Sequence, residues 1–359
     1  MSTTKQPPAG ATTVEDVDAA KVLGAGTNDL RDLVTRNLRT SGIYIAFVVI
    51  VALFAVLTGG RSLSAGNVTN IVLQYSYILI LAIGMVIVIV AGHIDLSVGS
   101  VVGLTGAVSA VLVIQQDMPW WVGVLAAVGT GLVVGAWQGF WVAYVGIPAF
   151  IVTLAGMLLF RGLTLQVLDN VSLSPFPAEY GQIASGFLNG LLGGYGYDSF
   201  TLLIFAVAVV GYAVSQYRTR LARVRYQQTV ESFPLFVLKI VAVGVVTMAF
   251  AWQLATARGL PIVLIILAAL ILTYAVVTTR TVFGRQVYAI GGNLAAATLS
   301  GVKVKVVNFW IFVNMGMLAG VAGVVFSARS NGAQPSAGNM FELDAIAAAF
   351  IGGAAVTGG

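Results

Sequence analysis

Apolar runs of about 20 residues recur along most of this chain, and they constrain its fold more than any other feature. A run of that length crosses a bilayer as an α-helix, whereas a membrane-spanning strand needs about ten residues of alternating hydrophobicity. No alternating run of that kind is visible here. The sequence therefore predicts an all-α fold, a polytopic transmembrane helical bundle.

Composition supports the same class. Hydrophobic residues make up 58% of the chain and charged residues 9%, with a mean hydropathy of +0.96. Soluble domains carry about 25% charged residues, so a soluble fold this poor in charge could not cover its surface. The chain has no cysteine, which excludes disulfides, thiol catalysis and cysteine metal sites. The net charge of +5 indicates basic cytoplasmic loops rather than nucleic-acid binding.

We predict about ten spans by counting the apolar runs. Nine of them cover residues 43–58, 68–90, 97–114, 120–144, 148–168, 200–214, 234–255, 260–277 and 306–326. A tenth apolar stretch begins near Asp344 and runs to the last residue. The segment 169–198, rich in glycine and proline, is expected to be an irregular loop.

The distribution of charges predicts which side of the membrane each loop faces. Residues 1–40 are predicted to form a flexible cytoplasmic tail, and residues 41–359 a transmembrane domain. Most lysines and arginines then fall on the inner side, including those of a basic cytoplasmic loop at 216–233. The same count places Asp95 on the inside and Asp344 on the outside.

Residues 280–305 form a polar interruption between two apolar runs, also on the predicted inner side. The segment carries four basic residues, Arg280, Arg285, Lys303 and Lys305. A turn is expected at 291–293, followed by a short helix over Leu294–Leu299 that stops at Gly301. We interpret it as a cytoplasmic docking element through which another subunit moves the membrane part.

Two charged side chains near the spans have alternative interpretations. Asp95 follows His93, an interfacial histidine by this count, and either caps the third span or serves as a functional intramembrane carboxylate. Asp344 has the same two interpretations at the start of the final stretch. Arg161 lies within the fifth span, where a guanidinium needs a partner, a watery cavity or a route to the surface.

The sequence offers no enzymatic site. The segment GGNLAAAT lacks the lysine that phosphate-binding loops require. No His, Asp and Glu residues have metal-ligand spacing, and no nucleophile and base are paired. We therefore predict no catalytic, cofactor-binding or metal-binding residues, and we do not expect an enzyme.

Three segments carry a family resemblance. AGHIDLSVGSVVGLTGAV, GRQVYAIGGNLAAATLSGVKV and AQPSAGNMFELDAIAAAFIGG resemble, in this order and spacing, the membrane permeases of bacterial monosaccharide ABC importers. This is the ribose, xylose, arabinose and galactose permease family, and the resemblance covers residues 73–359. An added hairpin at about 218–260 is similar to the longer xylose-type and multiple-monosaccharide-type permeases.

The resemblance implies a multi-pass permease of the bacterial inner membrane. Such a chain forms the translocation path of an ATP-driven importer for monosaccharides, xylose or a related pentose or hexose. Its expected partners are a cytoplasmic ATPase subunit that holds ATP and Mg²⁺, an extracytoplasmic sugar-binding protein, a second permease copy and the lipid bilayer, with no nucleic acid. Members of the family continue past the motif that ends at Gly359, so the chain is expected to be truncated.

The resemblance also assigns residues. The segment 284–301 would sit in a groove of the ATPase, with coupling residues Gly284, Arg285, Tyr288, Gly291, Gly292, Asn293, Ala296, Ser300 and Gly301. Candidates for the path are Asp95, Ser97, Gly99, Arg161 and Asp344. Arg161 could face the sugar, snorkel outward or pair with Asp169.

A sugar transporter driven by an ion gradient is the alternative. Such a protein needs buried carboxylates to carry protons or Na⁺. By sequence, acidic residues inside the spans are nearly absent, and only Asp95 and Asp344 come close.

Overall fold

The computed structural model describes residues 38–228 and 230–355, which fall into two compact units. The first, Met1–Ser62, contributes helix α1, Leu38–Leu57, with its apolar part at Ile45–Leu57. Residues 1–37 of the predicted tail lie outside the described residues, whereas 38–40 already belong to α1. The second unit, Leu63–Gly359, holds the remaining elements.

The second unit is built almost entirely from helices. In chain order its elements are α2 Ala65–Val90, α3 Val98–Ala110, α4 Trp120–Phe140, α5 Ala149–Val167, α6 Ala178–Ser185, β1 Phe187–Leu188, α7 Ser199–Arg225, α8 Phe233–Ala257, β2 Leu260–Pro261, α9 Ile262–Arg280, α10 Val282–Gly292, α11 Leu294–Leu299, α12 Val304–Ser330 and α13 Phe341–Ile351. Helices α3 and α4 continue as single π-helical turns, Val111–Gln115 and Trp141–Val145.

Eight of the described helices are long and apolar enough to cross a membrane: α2, α3 and α4 with the π turns, α5, α7, α8, α9 and α12. Each overlaps one predicted span, which confirms the polytopic helical bundle. The count of about ten is approximate, because it adds two shorter elements. These are α1, whose apolar part has 13 residues, and α13, which has 11.

Helix α12 lies at the centre of the second unit, and glycines bring α4 into backbone contact with it. A Cβ atom added at Gly131 would overlap the carbonyl oxygen of Gly316, and one added at Gly316 would overlap that of Gly131. A turn away, a Cβ at Gly320 would come within 2.8 Å of the Ala127 carbonyl oxygen. Small residues at four-residue spacing permit this approach, and they run antiparallel along the two helices.

The segment 169–198 is not a plain loop, contrary to the prediction. It contains α6, whose Tyr180 is fully buried and stacks on Phe176 with ring centroids 4.0 Å apart. The Tyr180 hydroxyl lies 2.9 Å from Ser109 Oγ of α3 and 2.9 Å from Ser327 Oγ of α12. The glycines and prolines of the segment favour turns, so the sequence did not predict this short helix, which is held by its tertiary contacts.

The predicted basic loop at 216–233 is wrong for its first ten residues. Helix α7 continues through Arg225, because the basic residues of this stretch are also good helix formers. Only the short connection from Tyr226 to Ser232 joins α7 to α8, and Thr229 within it lies outside the described residues. The two helices are exposed over most of their surface.

Two interruptions of the helices meet inside the bundle. One is the break between α2 and α3, and the other is the segment between α12 and α13. A Cβ at Gly99 would overlap both the Gly338 carbonyl oxygen and the Glu342 carboxylate. The prediction that Asp95 and Asp344 lie on opposite faces is therefore wrong. The count failed because it treated each apolar stretch as a complete crossing.

Candidate functional site

The break between α2 and α3 is organised by Asp95, which is 2% exposed. Its Oδ1 accepts hydrogen bonds from the Ser97 amide at 2.8 Å and from Ser97 Oγ at 2.7 Å. Ser97 occupies the N-cap position of α3 without a side-chain cap bond of its own. The predicted cap role of Asp95 is corrected accordingly: the carboxylate closes the turn that leads into the helix, two residues before the cap.

Gln138 of α4 joins this turn to the neighbouring helices. Its Nε2 donates to Ser97 Oγ at 2.7 Å, and the side chain is buried. Gly156 of α5 makes room for it, since a Cβ there would stand 2.7 Å from Gln138 Nε2. Gln138 was missed by sequence reasoning, although an amide among glycines in an apolar span is a usable signal.

Glu342 of α13 is the second residue that the sequence did not single out. Its side chain is buried, and its Oε2 has no hydrogen-bond partner among the described residues. The carboxylate lies against Gly99, is attracted by Arg161 and is repelled by Asp344 and Asp95. The structure thus brings Asp95, Ser97 and Gly99 together around Glu342. Arg161 exerts an electrostatic attraction on that carboxylate.

Asp344 differs from the other path candidates because its side chain is exposed. It lies in the first turn of α13, whose N-cap position is Met340 in the left-handed conformation, with φ +67°. The predicted cap role of Asp344 is therefore wrong. Asp95, Ser97, Gln138 and Glu342 together form a polar cluster inside the bundle.

A cleft of about 340 Å³ opens next to the α2–α3 break. His93 and Asn308 line it together with the connection between α4 and α5, residues 146–148. The two side chains are neighbours, but His93 Nε2 and Asn308 Oδ1 are buried, and neither has a partner at hydrogen-bonding geometry within residues 38–228 and 230–355. The His93 ring also packs 5.8 Å from the Phe312 ring, so this histidine lies within the bundle rather than simply at an interface.

Helices α10 and α11 form the predicted docking element, with a single-residue hinge between them. Asn293 is extended, with φ −160°, and its Oδ1 accepts from the Ala296 amide at 2.9 Å as the N-cap of α11. Gly291 and Gly292 end α10 in ordinary conformations and do not set the angle of the turn, contrary to expectation. Gly301 does adopt the left-handed conformation, with φ +82°.

The buried side of α10 contacts the end of α2. Phe283, Val287 and Tyr288 line a small apolar pocket with Val86 and Val90 of α2. A Cβ at Gly284 would overlap the carbonyl oxygens of residues 277 and 278, so this position requires glycine. The docking element is therefore attached to the helix that leads directly into the α2–α3 break.

The opposite side of these helices is exposed. Arg285, Asn293, Ala296 and Ser300 are all exposed there. Two large apolar side chains are exposed on the same side: Leu294 is 54% exposed and Leu299 is 89% exposed. Neither leucine was among the predicted coupling residues. Exposed leucines between polar residues form a surface suited to another protein.

Comparison with known proteins identifies relatives over most of the chain. Residues 67–359 match the family described as branched-chain amino acid transport system, permease component. The xylose transport system permease protein XylH of Haemophilus influenzae is 39% identical over 90% of this chain and 84% of its own length. XylH of Escherichia coli K12 is 37% identical over 96% and 85%.

More distant relatives are named for other sugars. The ribose import permease protein RbsC of Escherichia coli K12 is 33% identical over 88% of this chain and 77% of its own length. No solved structure matches the chain. The family match covers more than half of the chain and includes both the polar cluster and the docking element, so this protein belongs to the family of transport-system permease components.

Proposed function

We propose that this chain is the permease subunit of an ABC importer that carries xylose, or a closely related monosaccharide, across the bacterial inner membrane. The observation that carries the proposal is the similarity to two xylose transport permeases over more than four fifths of their length. The eight long apolar helices supply the multi-pass membrane domain that such a subunit needs.

The sugar path runs through the cleft and the polar cluster in this proposal. A sugar is a neutral polyol, so its hydroxyls need donors and acceptors once they leave water. His93 Nε2, Asn308 Oδ1 and Glu342 Oε2 are buried polar atoms with no hydrogen-bond partner in the part of the chain that the structure describes, and they can exchange hydrogen bonds with passing hydroxyls. The volume of about 340 Å³ is at the lower end for small-molecule sites, which suits a pentose.

The docking element couples the path to an ATPase subunit. The exposed side of α11, with Leu294 and Leu299, contacts the partner, while the buried side of α10 contacts α2. A shift of α10 would press on Val90, next to the break that holds His93 and Asp95. ATP and Mg²⁺ bind to the partner subunit, and a second permease copy and an extracytoplasmic sugar-binding protein complete the importer.

A transporter driven by an ion gradient is the second candidate, and one observation favours it. Asp95 and Glu342 are both buried and close enough to repel each other. The sequence had indicated that carboxylates were nearly absent from the membrane part, and the structure corrects this. Buried acidic pairs of this kind carry protons or Na⁺ in secondary transporters.

Uptake of labelled xylose tests the two candidates. Cells that lack the endogenous xylose transporters would express this gene with its genomic neighbours, and the control would omit only this gene. We expect uptake that depends on this gene, stops on ATP depletion and persists when a protonophore collapses the proton gradient.

The opposite pattern would favour the second candidate. Uptake that stops with the protonophore while ATP remains high would contradict the ABC proposal. Competition by unlabelled xylose, ribose and allose would rank the substrates. If none of the three reduced the uptake of labelled xylose, the substrate part of the proposal would be wrong.

A further inference from the structure

A basic cleft of about 100 Å³ lies between α7 and α8, near the connection that joins them. Its polar lining comes from Gln216, Thr219, Arg220, Arg223, Glu231 and Lys239. Three of these side chains are positive and one is negative, which leaves two positive charges in a small volume. Both helices of the hairpin contribute lining residues, so the cleft exists only where α7 and α8 pack together.

Arg220 holds the cleft together. Its Nη1 donates to the Glu231 carbonyl oxygen at 2.6 Å, and its guanidinium lies 5.0 Å from the centre of the Phe236 ring. These two contacts connect α7 to the start of α8. Arg223 and Lys239 make no hydrogen bond or ion pair with the described residues, so their charges are available to a ligand.

The charge and the size of the cleft together indicate the ligand. Its volume of about 100 Å³ accommodates a phosphate group. Guanidinium and ammonium groups form strong hydrogen bonds with phosphate oxygens. We infer that this basic cleft binds the phosphate of an anionic phospholipid.

The surface around the cleft favours a lipid over free phosphate. Leu221 and Val224 of α7, and Leu238 and Val241 of α8, are all more than half exposed. These apolar side chains would contact acyl chains while the cleft holds the head group. The charge rule places this end of the hairpin on the cytoplasmic side, where anionic lipids attract basic segments.

Native mass spectrometry of the full chain, purified in detergent and titrated with lipid, tests the inference. The probes are phosphatidylglycerol, phosphatidylcholine and inorganic phosphate. We expect phosphatidylglycerol to bind at least tenfold more tightly than phosphatidylcholine, and inorganic phosphate at the same concentration not to displace it. Each charge-assisted hydrogen bond from Arg223 or Lys239 to the lipid phosphate would contribute about tenfold or more in affinity.

Two matched double variants distinguish the basic residues of the cleft from other basic residues of α7. Arg223→Gln with Lys239→Gln should reduce the preference for phosphatidylglycerol about tenfold or more. Arg218→Gln with Arg225→Gln removes the same charge from exposed positions of α7 outside the lining, and should leave it within about twofold. Equal losses in the two double variants, equal binding of the two lipids, or displacement by inorganic phosphate would each overturn the inference.

Discussion

The carboxylate of Glu342 lies against the backbone of Gly99, in the space that any side chain at position 99 would fill. This contact joins α13 to the start of α3, two elements that are more than 200 residues apart in sequence. It also brings Glu342 close to the turn of Asp95. The helix interruptions at these two places therefore act together as one structural unit.

The substitution Gly99→Ala should destabilise this unit. The added methyl group would overlap both the Gly338 carbonyl oxygen and Glu342 Oε2, and backbone cannot move away as cheaply as a flexible side chain. We expect a loss of about 1–3 kcal/mol in the free energy of unfolding, as for other overpacked sites. Thermal unfolding in detergent measures it.

Gly162→Ala is the matched control for that experiment. Gly162 also lies within a helix, α5, and a Cβ there would meet nothing within 4 Å. Its stability should equal or slightly exceed that of the parent, because alanine has the higher helix propensity. A Gly99→Ala protein as stable as the parent would show that the contact can relax.

The spans could be predicted from sequence because each depends on a local property, an apolar run of sufficient length. The start of α2 differs by only three residues from its predicted boundary at residue 68, and the end of α2 agrees at residue 90. The short hinge at Asn293 was also predictable, since asparagine before an alanine-rich run is a common cap.

The polar cluster could not be predicted in the same way. Glu342 stands in a segment of mixed polarity, and nothing local distinguishes a glutamate that turns inward against Gly99 from one in solvent. Gln138 likewise becomes informative only when its bond to Ser97, 41 residues away, is known. Contacts between distant parts of the chain decide which polar residues are buried, and the contact of Gly99 with Glu342 also contradicts the predicted placement of Asp95 and Asp344 on opposite faces.

Glu342→Gln tests the proposed sugar path. Glutamine keeps the shape of the side chain and removes both the charge and one strong acceptor, Oε2. Since hydrogen bonds to charged groups contribute about 1.5–3 kcal/mol, we expect xylose uptake to fall about tenfold or more. Thermal stability should change little, because the lost repulsion from Asp95 offsets the lost attraction to Arg161.

Asp344→Asn is the control on the same helix. Its carboxylate is exposed, so the variant should transport at close to the parent rate. Equal uptake by the Glu342→Gln variant and the parent would remove this carboxylate from the proposed path.

Asn293→Ala should weaken the proposed contact with the ATPase. The change removes the bond from the Ala296 amide and costs α11 about 1 kcal/mol, as for other N-caps. We expect less ATPase subunit to co-purify with the permease, with membrane insertion unaffected. Asn293→Ser retains a capping oxygen and should restore co-purification. If the alanine and serine variants behaved alike, the cap would have no part in docking.

Low pH should destabilise the N-terminal end of α7, because Asp198 becomes protonated. Burial raises the pKa of this carboxyl group, but hydrogen bonds from the Thr201 hydroxyl and amide and from the Gly190 and Phe200 amides outweigh it and lower the pKa below its ordinary value. The carboxylate therefore stabilises the fold fully above the unfolded pKa of about 3.9, and this contribution is lost as pH falls through the folded pKa.

The measurement for Asp198 is thermal unfolding in detergent between pH 7 and pH 3. The Asp198→Asn variant should be less stable at pH 7, and the difference from the parent should shrink at the acid end. Asp169→Asn, which removes an exposed carboxylate in the turn after α5, is the control and should follow the parent. A constant difference between the Asp198→Asn variant and the parent would contradict the assigned pKa shift.

Tyr180 allows a sharper test of how α6 is held. Its hydroxyl is shared by Ser109 and Ser327, but the two serines are not equivalent. Ser327 Oγ also donates to the Gly323 carbonyl oxygen at 2.8 Å. Among the described residues, Ser109 Oγ has a hydrogen bond only with Tyr180. Tyr180→Phe should therefore cost about 1–3 kcal/mol, mainly because it leaves the buried Ser109 hydroxyl unpaired.

A double-mutant cycle separates the two serines. Adding Ser109→Ala to Tyr180→Phe removes the unpaired hydroxyl and should recover most of the lost stability. Adding Ser327→Ala instead should recover little, since Ser327 keeps its bond to the helix backbone in the single variant. Equal recovery in the two double variants, measured by thermal unfolding, would mean that the serines bind Tyr180 equivalently and that the asymmetry around its hydroxyl has no energetic effect.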